Sequence, residues 1–83
     1  MAVKKVCVLT IAGSDPGGGA GIQSDLKTFR SHGLYGLTII TAITSQNTKG
    51  VQSSFEIPSK VIRSQLKSVF DDFEISAIKT GML

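Results

Sequence analysis

The sequence lacks what very small proteins use to hold a fold together: its 83 residues include one cysteine and one histidine. A lone cysteine excludes an internal disulfide, and so few cysteines and histidines exclude the ligand spacing of a structural zinc site. A chain of this length buries only about 60% of the surface that its unfolded form exposes. We therefore expect at most one small domain, of marginal stability by itself.

Long apolar runs are also absent, since no stretch approaches the roughly 20 apolar residues that span a bilayer. The run from Val6 to Ala12 follows Lys4 and Lys5, but it is at the short limit for a signal peptide and leads to no convincing cleavage site. It predicts a buried strand. Without a span, and with a lone cysteine, the chain is expected to be soluble and cytoplasmic.

Basic residues are not gathered anywhere in the chain. Nine of them oppose six acidic residues for a formal net charge of +3, but they are scattered. A nucleic-acid-binding protein would collect them on one face or in one run. The composition, 41% hydrophobic and 18% charged, is globular rather than disordered. We expect no nucleic-acid partner and no membrane partner.

Three apolar runs, rich in β-branched residues, have the continuous apolarity of strands that are covered on both faces. They are Val6–Ala12, Leu37–Thr44 and, more weakly, Ile75–Ile78. The segment from Gln46 to Ile57 is polar with some alternation, which predicts a loop or a small flap of strand.

Apolar residues at helical spacing separate these runs. The first stripe predicts a helix that ends at Gly33, with Gln23, Lys27 and Arg30 facing outward. The second predicts a helix capped by Ser59. The stripes consist of Ile22, Leu26 and Phe29, and of Ile62, Leu66, Val69 and Phe73.

The resulting order, β-α-β-α-β, predicts an α/β fold with a mostly parallel sheet and right-handed connections. Ligands of open α/β sheets bind at the carboxyl ends of the strands. The third strand runs directly into residues 79–83, at the end of the chain. We therefore expect the chain to be a fragment of a larger domain.

The stretch 12–27 is glycine-rich and joins the first strand to the first helix. Such a turn lets the backbone approach a ligand and offers free amides at the positive end of the helix dipole, although it can also be a tight turn and nothing more. It is not a P-loop, because no Gly-Lys-Ser/Thr follows four variable positions. It is not a dinucleotide-binding motif either, since Gly17 and Gly19 are followed by Ile22.

The segment Ile11 to Thr28 closely resembles the opening signature of the hydroxymethylpyrimidine kinases, I-A-G-S-D-P-S-G-G-A-G-I-Q-A-D-L-K-T. It differs by Gly17 in place of Ser and Ser24 in place of Ala. The resemblance covers essentially the whole chain, continuing through residues 35–36, 40–53, 65–66, 69–72 and 78–83. It implies a ribokinase-like three-layer fold, of which residues 1–83 are the amino-terminal portion of a single kinase domain.

The same resemblance implies that this segment supplies much of a pyrimidine pocket. Gln46 would hydrogen-bond the aminopyrimidine, because an amide offers both a donor and an acceptor to a heteroaromatic edge. The alternative is a polar side chain that satisfies a loop backbone. Asp15 would meet the substrate hydroxymethyl group, although an Asp before Pro is also an ordinary turn former.

Four more positions complete the implied pocket. Gly13 would lend a backbone group, and Ala20, Thr44 and Met82 would line the wall. Thr44 departs from the aliphatic residue often found there in the family. Met82 has the alternative of being a core residue, which is the commoner fate of a methionine after a strand.

Three further polar residues are given structural rather than chemical roles. Asp25 lies near the amino end of the first helix, where a carboxylate favours the dipole regardless of function. His32 is expected at the end of that helix, and Cys7 is expected to be a small buried hydrophobe. No catalytic residue is predicted in this segment.

The activity implied for the full-length parent is ATP-dependent phosphorylation of 4-amino-5-hydroxymethyl-2-methylpyrimidine and then of its monophosphate, with Mg²⁺, in thiamin biosynthesis. The nucleotide site, the anion hole and the base would lie in the carboxyl-terminal part, so the chain alone would be inactive. A homo-oligomer is left open for the parent. The alternatives are a pyridoxal or pyridoxine kinase, and a non-catalytic pyrimidine-binding or degenerate fragment.

Overall fold

The computed structural model describes residues 5–81, which form five strands and two helices. Met82, which the resemblance assigns to the pocket wall, lies outside the described residues. The strands are β1 (Cys7–Ala12), β2 (Tyr35–Ile40), β3 (Ala42–Asn47), β4 (Gly50–Glu56) and β5 (Ile75–Thr80). The helices are α1 (Gly21–Ser31) and α2 (Ser59–Phe70).

A parallel three-stranded sheet forms the centre, in the order β2-β1-β5. The first apolar run provides the middle strand, in which Leu9 and Thr10 are fully buried. In register, Leu9 pairs with Leu37 and Ile11 pairs with Ile39. The prediction of an α/β fold with a mostly parallel sheet is confirmed.

The two helices cover opposite faces of this sheet. Successive residues of a strand point to opposite faces, so each strand presents side chains to both helices. Leu9, Leu37 and Ile39 form the buried core, and the apolar stripe of α2 packs against it. On the other face, Gly36 lies beneath α1 so closely that an added Cβ would come within 2.6 Å of Leu26. Helix, sheet and helix therefore make three layers, as the resemblance implied.

No side-chain hydrogen bond caps the start of α1 or of α2. Gly33 ends α1 as predicted, with a φ of 71° that favours glycine, and its amide donates to the Arg30 carbonyl at 3.0 Å. The prediction that Ser59 caps α2 is wrong, because Pro58 occupies the N-cap position and no side chain caps the helix. Within residues 5–81, neither helix has the length and apolarity to cross a membrane.

The predicted strand Leu37–Thr44 is wrong as a single element. β2 ends at Ile40, opposite Ala12, where β1 also ends, so among the described residues the three-stranded sheet offers no partner beyond that point. The side-chain amide of Gln65 in α2 pairs with both backbone groups of Ile40, at 2.8 and 2.9 Å. This contact satisfies the backbone groups of Ile40 at the end of β2, and the chain changes direction at Thr41.

Residues after Thr41 form a separate antiparallel hairpin of β3 and β4. Of the two predictions for Gln46–Ile57, the flap of strand is therefore confirmed and the loop is wrong. The Asn47 side chain accepts a hydrogen bond from the Lys49 amide at 2.9 Å and closes the turn. The base of the hairpin is fixed by the Ile57 amide, which donates to the Thr41 carbonyl at 2.9 Å.

Candidate functional site

The carboxyl ends of the three parallel strands meet at one edge, where the glycine-rich loop and the hairpin also converge. The Ser14 amide donates to the Ala42 carbonyl at 2.9 Å, which joins the loop to the start of β3. Gly13 lies against the same residue, since an added Cβ would be 3.5 Å from the Ala42 oxygen. Gly81 closes over Ile11, whose carbonyl accepts its amide at 2.9 Å.

Asp15 organises the glycine-rich loop from within. It is only 6% exposed, and its carboxylate accepts the backbone amides of Gly17, Gly19 and Ala20 at 2.8, 3.1 and 3.0 Å. The Gly18 amide is bonded to the Asp15 carbonyl at 2.9 Å. The expectation that this loop offers free amides to an anion is therefore wrong for these four amides, because Asp15 already occupies them.

The loop also folds back onto the first turn of α1. The Ile22 amide donates to the Gly13 carbonyl at 2.9 Å, and this return requires the φ of 65° at Gly21, which only glycine adopts readily. Gln23 does not face outward as predicted, because its Oε1 accepts the Asp15 amide at 2.8 Å. Nothing in the sequence signals this contact beyond a polar residue near a helix start.

A chain of hydrogen bonds runs from the loop to Gln46. The Thr44 hydroxyl lies 2.7 Å from the Ser14 carbonyl oxygen and 3.1 Å from Oε1 of Gln46. Thr44 and Gln46 are two residues apart on β3, so both side chains lie on the same, half-buried face of the hairpin. The amide of Gln46 is thereby held beside the glycine-rich loop.

The structure thus brings together three of the predicted site residues, namely Gly13, Thr44 and Gln46. Ala20 is exposed at the other end of the loop, immediately before α1, and its amide is bonded to Asp15. Direct contact of Asp15 with a substrate stays a prediction. The alternative role of Asp15, as a turn former, is confirmed by its hydrogen bonds to the loop amides. Gln46 makes no hydrogen bond to a loop backbone among the described residues, and its contact with a ligand stays a prediction.

An ion pair that the sequence reasoning missed lies beneath the loop. Nζ of Lys79 in β5 lies 2.9 Å from Oδ2 of Asp25 in α1, and the buried Thr10 hydroxyl donates to the same oxygen at 2.5 Å. Burial by itself raises the pKa of the Asp25 carboxyl. The hydrogen bonds from Thr10 and Lys79, together with the Lys79 charge, outweigh burial, so this pKa lies below its ordinary value.

Of the other predicted structural residues, His32 falls where expected, whereas Cys7 is less buried than expected. His32 is the C-cap of α1, and its Nδ1 lies 2.9 Å from the Thr28 carbonyl. Cys7 is partly buried and packs against the core. Among residues 5–81 no group of three or more His, Cys, Asp or Glu is arranged to hold a metal ion.

A sequence profile described as phosphomethylpyrimidine kinase matches residues 15–83, which is most of the chain. The chain belongs to this family. A hydroxymethylpyrimidine/phosphomethylpyrimidine kinase of Streptomyces coelicolor is 55% identical over 76 residues, covering 92% of this chain and 28% of that relative. The chain therefore spans under a third of that relative's length.

Solved structures of two kinases resemble the fold closely. A phosphomethylpyrimidine kinase of Clostridium difficile has a TM-score of 0.92 and 54% identity, covering 95% of this chain and 34% of that one. A pyridoxal kinase of Bacillus subtilis, solved as an ADP complex, has a TM-score of 0.87 and 44% identity, covering 96% and 31%. The predicted ribokinase-like fold is confirmed, and the chain corresponds to an amino-terminal part of it.

Proposed function

We propose that the complete protein phosphorylates 4-amino-5-hydroxymethyl-2-methylpyrimidine and then its monophosphate, and that residues 1–83 are the amino-terminal portion of its single kinase domain. The observation that carries this proposal is the hydrogen-bonded chain from Ser14 through Thr44 to Gln46. It holds a half-buried amide at the carboxyl edge of a parallel sheet, where ligands of such folds bind. The family membership supports the same reaction.

The geometry suits recognition of a flat, polar ring. An amide can offer a donor or an acceptor to the edge of a heteroaromatic ring, and Gln46 presents one next to Thr44, whose hydroxyl contacts the Ser14 carbonyl. Asp15 keeps the adjacent loop in one conformation through its three amide contacts. Such preorganisation lowers the entropy that a ligand loses on binding. Ala20 and Met82 complete the proposed pocket wall.

ATP is the proposed phosphoryl donor, with Mg²⁺ to neutralise the transferred charge, as kinases of small molecules require. Nucleotide use is supported by the family description and by the ADP complex of the Bacillus subtilis neighbour. The described residues bring together no ligand set for the ion. We therefore propose that the nucleotide site, the anion hole and the catalytic base belong to other parts of the complete kinase.

Phosphorylation of pyridoxal is the second candidate function. It is supported by the TM-score of 0.87 to the Bacillus subtilis pyridoxal kinase, which has 44% sequence identity to this chain. Pyridoxal also carries a hydroxymethyl group on a flat heteroaromatic ring, so the same pocket chemistry serves both substrates. The higher identity of 54% to the Clostridium difficile phosphomethylpyrimidine kinase favours the pyrimidine.

Other expectations remain predictions. The proposed partner is a small aminopyrimidine, and neither a nucleic acid nor a membrane is proposed as a partner. The proposed location is the cytoplasm. Self-association of the complete kinase is left open. A non-catalytic pyrimidine-binding module, or a degenerate segment, is the remaining alternative to an active enzyme.

The decisive experiment is an ATP-dependent phosphorylation assay with hydroxymethylpyrimidine and pyridoxal in parallel. It compares the complete reading frame that contains this segment with the 83-residue chain. We expect turnover only by the complete protein, with a higher kcat/KM for the pyrimidine. A preference for pyridoxal would favour the second candidate. Turnover by the 83-residue chain would contradict our placement of the catalytic parts, and pyrimidine binding without turnover by either protein would favour the binding module.

A further inference from the structure

The hydroxyl of Thr44 has two close oxygen neighbours but a single proton to donate. One neighbour is the backbone carbonyl of Ser14 at 2.7 Å, and the other is the side-chain amide of Gln46 at 3.1 Å. A hydroxyl donates one hydrogen bond and accepts up to two. The two contacts therefore compete if both neighbours act only as acceptors.

The competition is resolved by the chemistry of the two neighbours. A backbone carbonyl can only accept, so the short contact to Ser14 requires the proton of the Thr44 hydroxyl. The amide of Gln46 can either accept or donate, because its oxygen and nitrogen exchange places when the group rotates by a half-turn. The structure has Oε1 of Gln46 beside the Thr44 hydroxyl, and both contacts are satisfied when the amide is rotated by a half-turn from this arrangement, so that Nε2 faces the Thr44 oxygen and donates to it.

We propose that Thr44 determines substrate specificity by fixing the Gln46 amide in this orientation, with Nε2 towards Thr44 and Oε1 towards the ligand. The inference rests on the proposed function, because it assumes that Gln46 faces the substrate. The site then presents a hydrogen-bond acceptor to the ring edge. It selects rings that carry an amino donor at that edge over rings of the same shape that carry none.

The hydroxyl of Thr44 is what orients the Gln46 amide. An aliphatic side chain at this position accepts no hydrogen bond. The amide of Gln46 would then rotate freely and offer either its donor or its acceptor. Substituting Thr44 by valine, which has almost the same shape, therefore removes the orienting contact and leaves the wall of the site intact.

The binding test uses the complete protein and two probes: hydroxymethylpyrimidine and its analogue in which a methyl group replaces the 4-amino group. The dissociation constants of both are measured by calorimetry for wild type, Thr44→Val and Thr44→Ser. We expect wild type to prefer the amino compound, Thr44→Val to reduce that preference roughly fivefold, and Thr44→Ser to retain it. A matched control is Ser45→Ala, on the exposed face of the same strand, which should keep the wild-type ratio. An unchanged ratio in Thr44→Val would overturn the proposal.

A second measurement needs neither a variant nor a ligand, so it separates this inference from the proposed function. In the ligand-free protein, the side-chain amide protons of Gln46 should show nuclear Overhauser contacts to the γ-methyl group of Thr44. If these contacts are found but neither probe binds, the orientation is right and the proposed substrate is wrong. If they are missing, the orientation itself is wrong, whatever the protein binds.

Discussion

Lys79 and Asp25 lie 54 positions apart in the chain, yet Nζ of the lysine is 2.9 and 3.0 Å from the two carboxylate oxygens of the aspartate. The contact joins β5 to α1, and Thr10 adds a hydrogen bond from β1. Three elements are thus fixed to one another directly beneath the glycine-rich loop. The loop depends on this frame, because α1 begins where the loop ends.

Replacing Asp25 by asparagine should therefore destabilise the complete protein. Asp25→Asn retains an oxygen for Thr10 but loses the charged pair, and we expect the free energy of unfolding to fall by about 1 to 2 kcal/mol. The smaller value is favoured because the Lys79 side chain is 48% exposed and water stabilises its charge. Denaturant unfolding measures the change.

The ion pair of Lys67, in α2, with Asp71, just beyond it, provides a matched control. Nζ of Lys67 is also 2.9 Å from Oδ2 of Asp71, but the two side chains are 78% and 63% exposed. Asp71→Asn should change the free energy of unfolding by less than about 0.5 kcal/mol. Equal effects of Asp25→Asn and Asp71→Asn would contradict a structural role for the Asp25 pair.

The stabilisation from Asp25 should also depend on pH. Its pKa is lower in the folded protein than in the unfolded chain, so the folded state favours the ionised carboxylate. The contribution is complete above the unfolded pKa, which is about 3.9, and is lost as the pH falls through the folded pKa. The difference in unfolding free energy between wild type and Asp25→Asn should be constant near neutrality and shrink below about pH 4.

Removing the carboxylate of Asp15 should disorder the glycine-rich loop. Asp15→Ala leaves three backbone amides without their acceptor, and we expect a loss of about 2 to 3 kcal/mol together with weaker substrate binding. Asp15→Asn should be intermediate, since it keeps one acceptor oxygen. Hydrogen exchange of the Gly17, Gly19 and Ala20 amides reports the effect locally. Unaltered protection of these amides in Asp15→Ala would mean that the loop holds its shape without the carboxylate.

Much of the fold could be predicted because it depends on local patterns. The continuous apolar run of β1 and the helical stripes of α1 and α2 predicted an α/β fold with a mostly parallel sheet, and Gly33 marked a helix end through its own conformational preference. The break at Thr41 could not be predicted this way. Residues on both sides of Thr41 have similar strand propensity, and the break arises because β1 ends opposite Ile40.

For the site, only roles that depend on neighbouring residues in the sequence could be predicted from the residues themselves. Asp before Pro indicated that Asp15 forms a turn, and the family resemblance selected Gln46. The partners of Gln23, Gln65 and Lys79 lie 8, 25 and 54 positions away in the chain. A polar residue on a helix or strand carries no local sign of such a partner, because water would satisfy it equally well on an exposed face.

Gly21 and Gly33 have similar positive φ angles but different surroundings. Comparing alanine substitutions at the two positions therefore separates the cost of a steric collision from the cost of backbone strain. Gly21 and Gly33 have φ values of 65° and 71°, but an added Cβ at Gly21 would collide with the Gly13 carbonyl oxygen, whereas none of the described atoms lies within 4 Å at Gly33. Gly33→Ala should cost about 1 to 2 kcal/mol from strain alone. Gly21→Ala should cost more and should also weaken substrate binding. Equal losses of stability would show that the collision is relieved by a small backbone shift.

The 83-residue chain, produced by itself, should associate rather than remain monomeric. Among the described residues, β5 pairs on one side only, and large apolar side chains are exposed on the hairpin and on β5. Ile43 and Phe55 face each other across the hairpin and are 51% and 61% exposed, while Ile78 on β5 is 53% exposed. An unpaired strand edge beside such a surface favours pairing with another chain.

Size-exclusion chromatography combined with circular dichroism tests this expectation at several concentrations. We expect the isolated chain to elute as a dimer or larger species while retaining α/β circular dichroism. Replacing Ile43 and Phe55 by threonine places a residue of high strand propensity at both positions but removes most of the exposed apolar area there, so it should shift elution towards the monomer. Ser53→Thr, also on the hairpin, is the matched control and should elute as wild type does. A monomeric wild-type chain that unfolds cooperatively would show that these surfaces do not drive association, and that the three-layer core is stable without further covering.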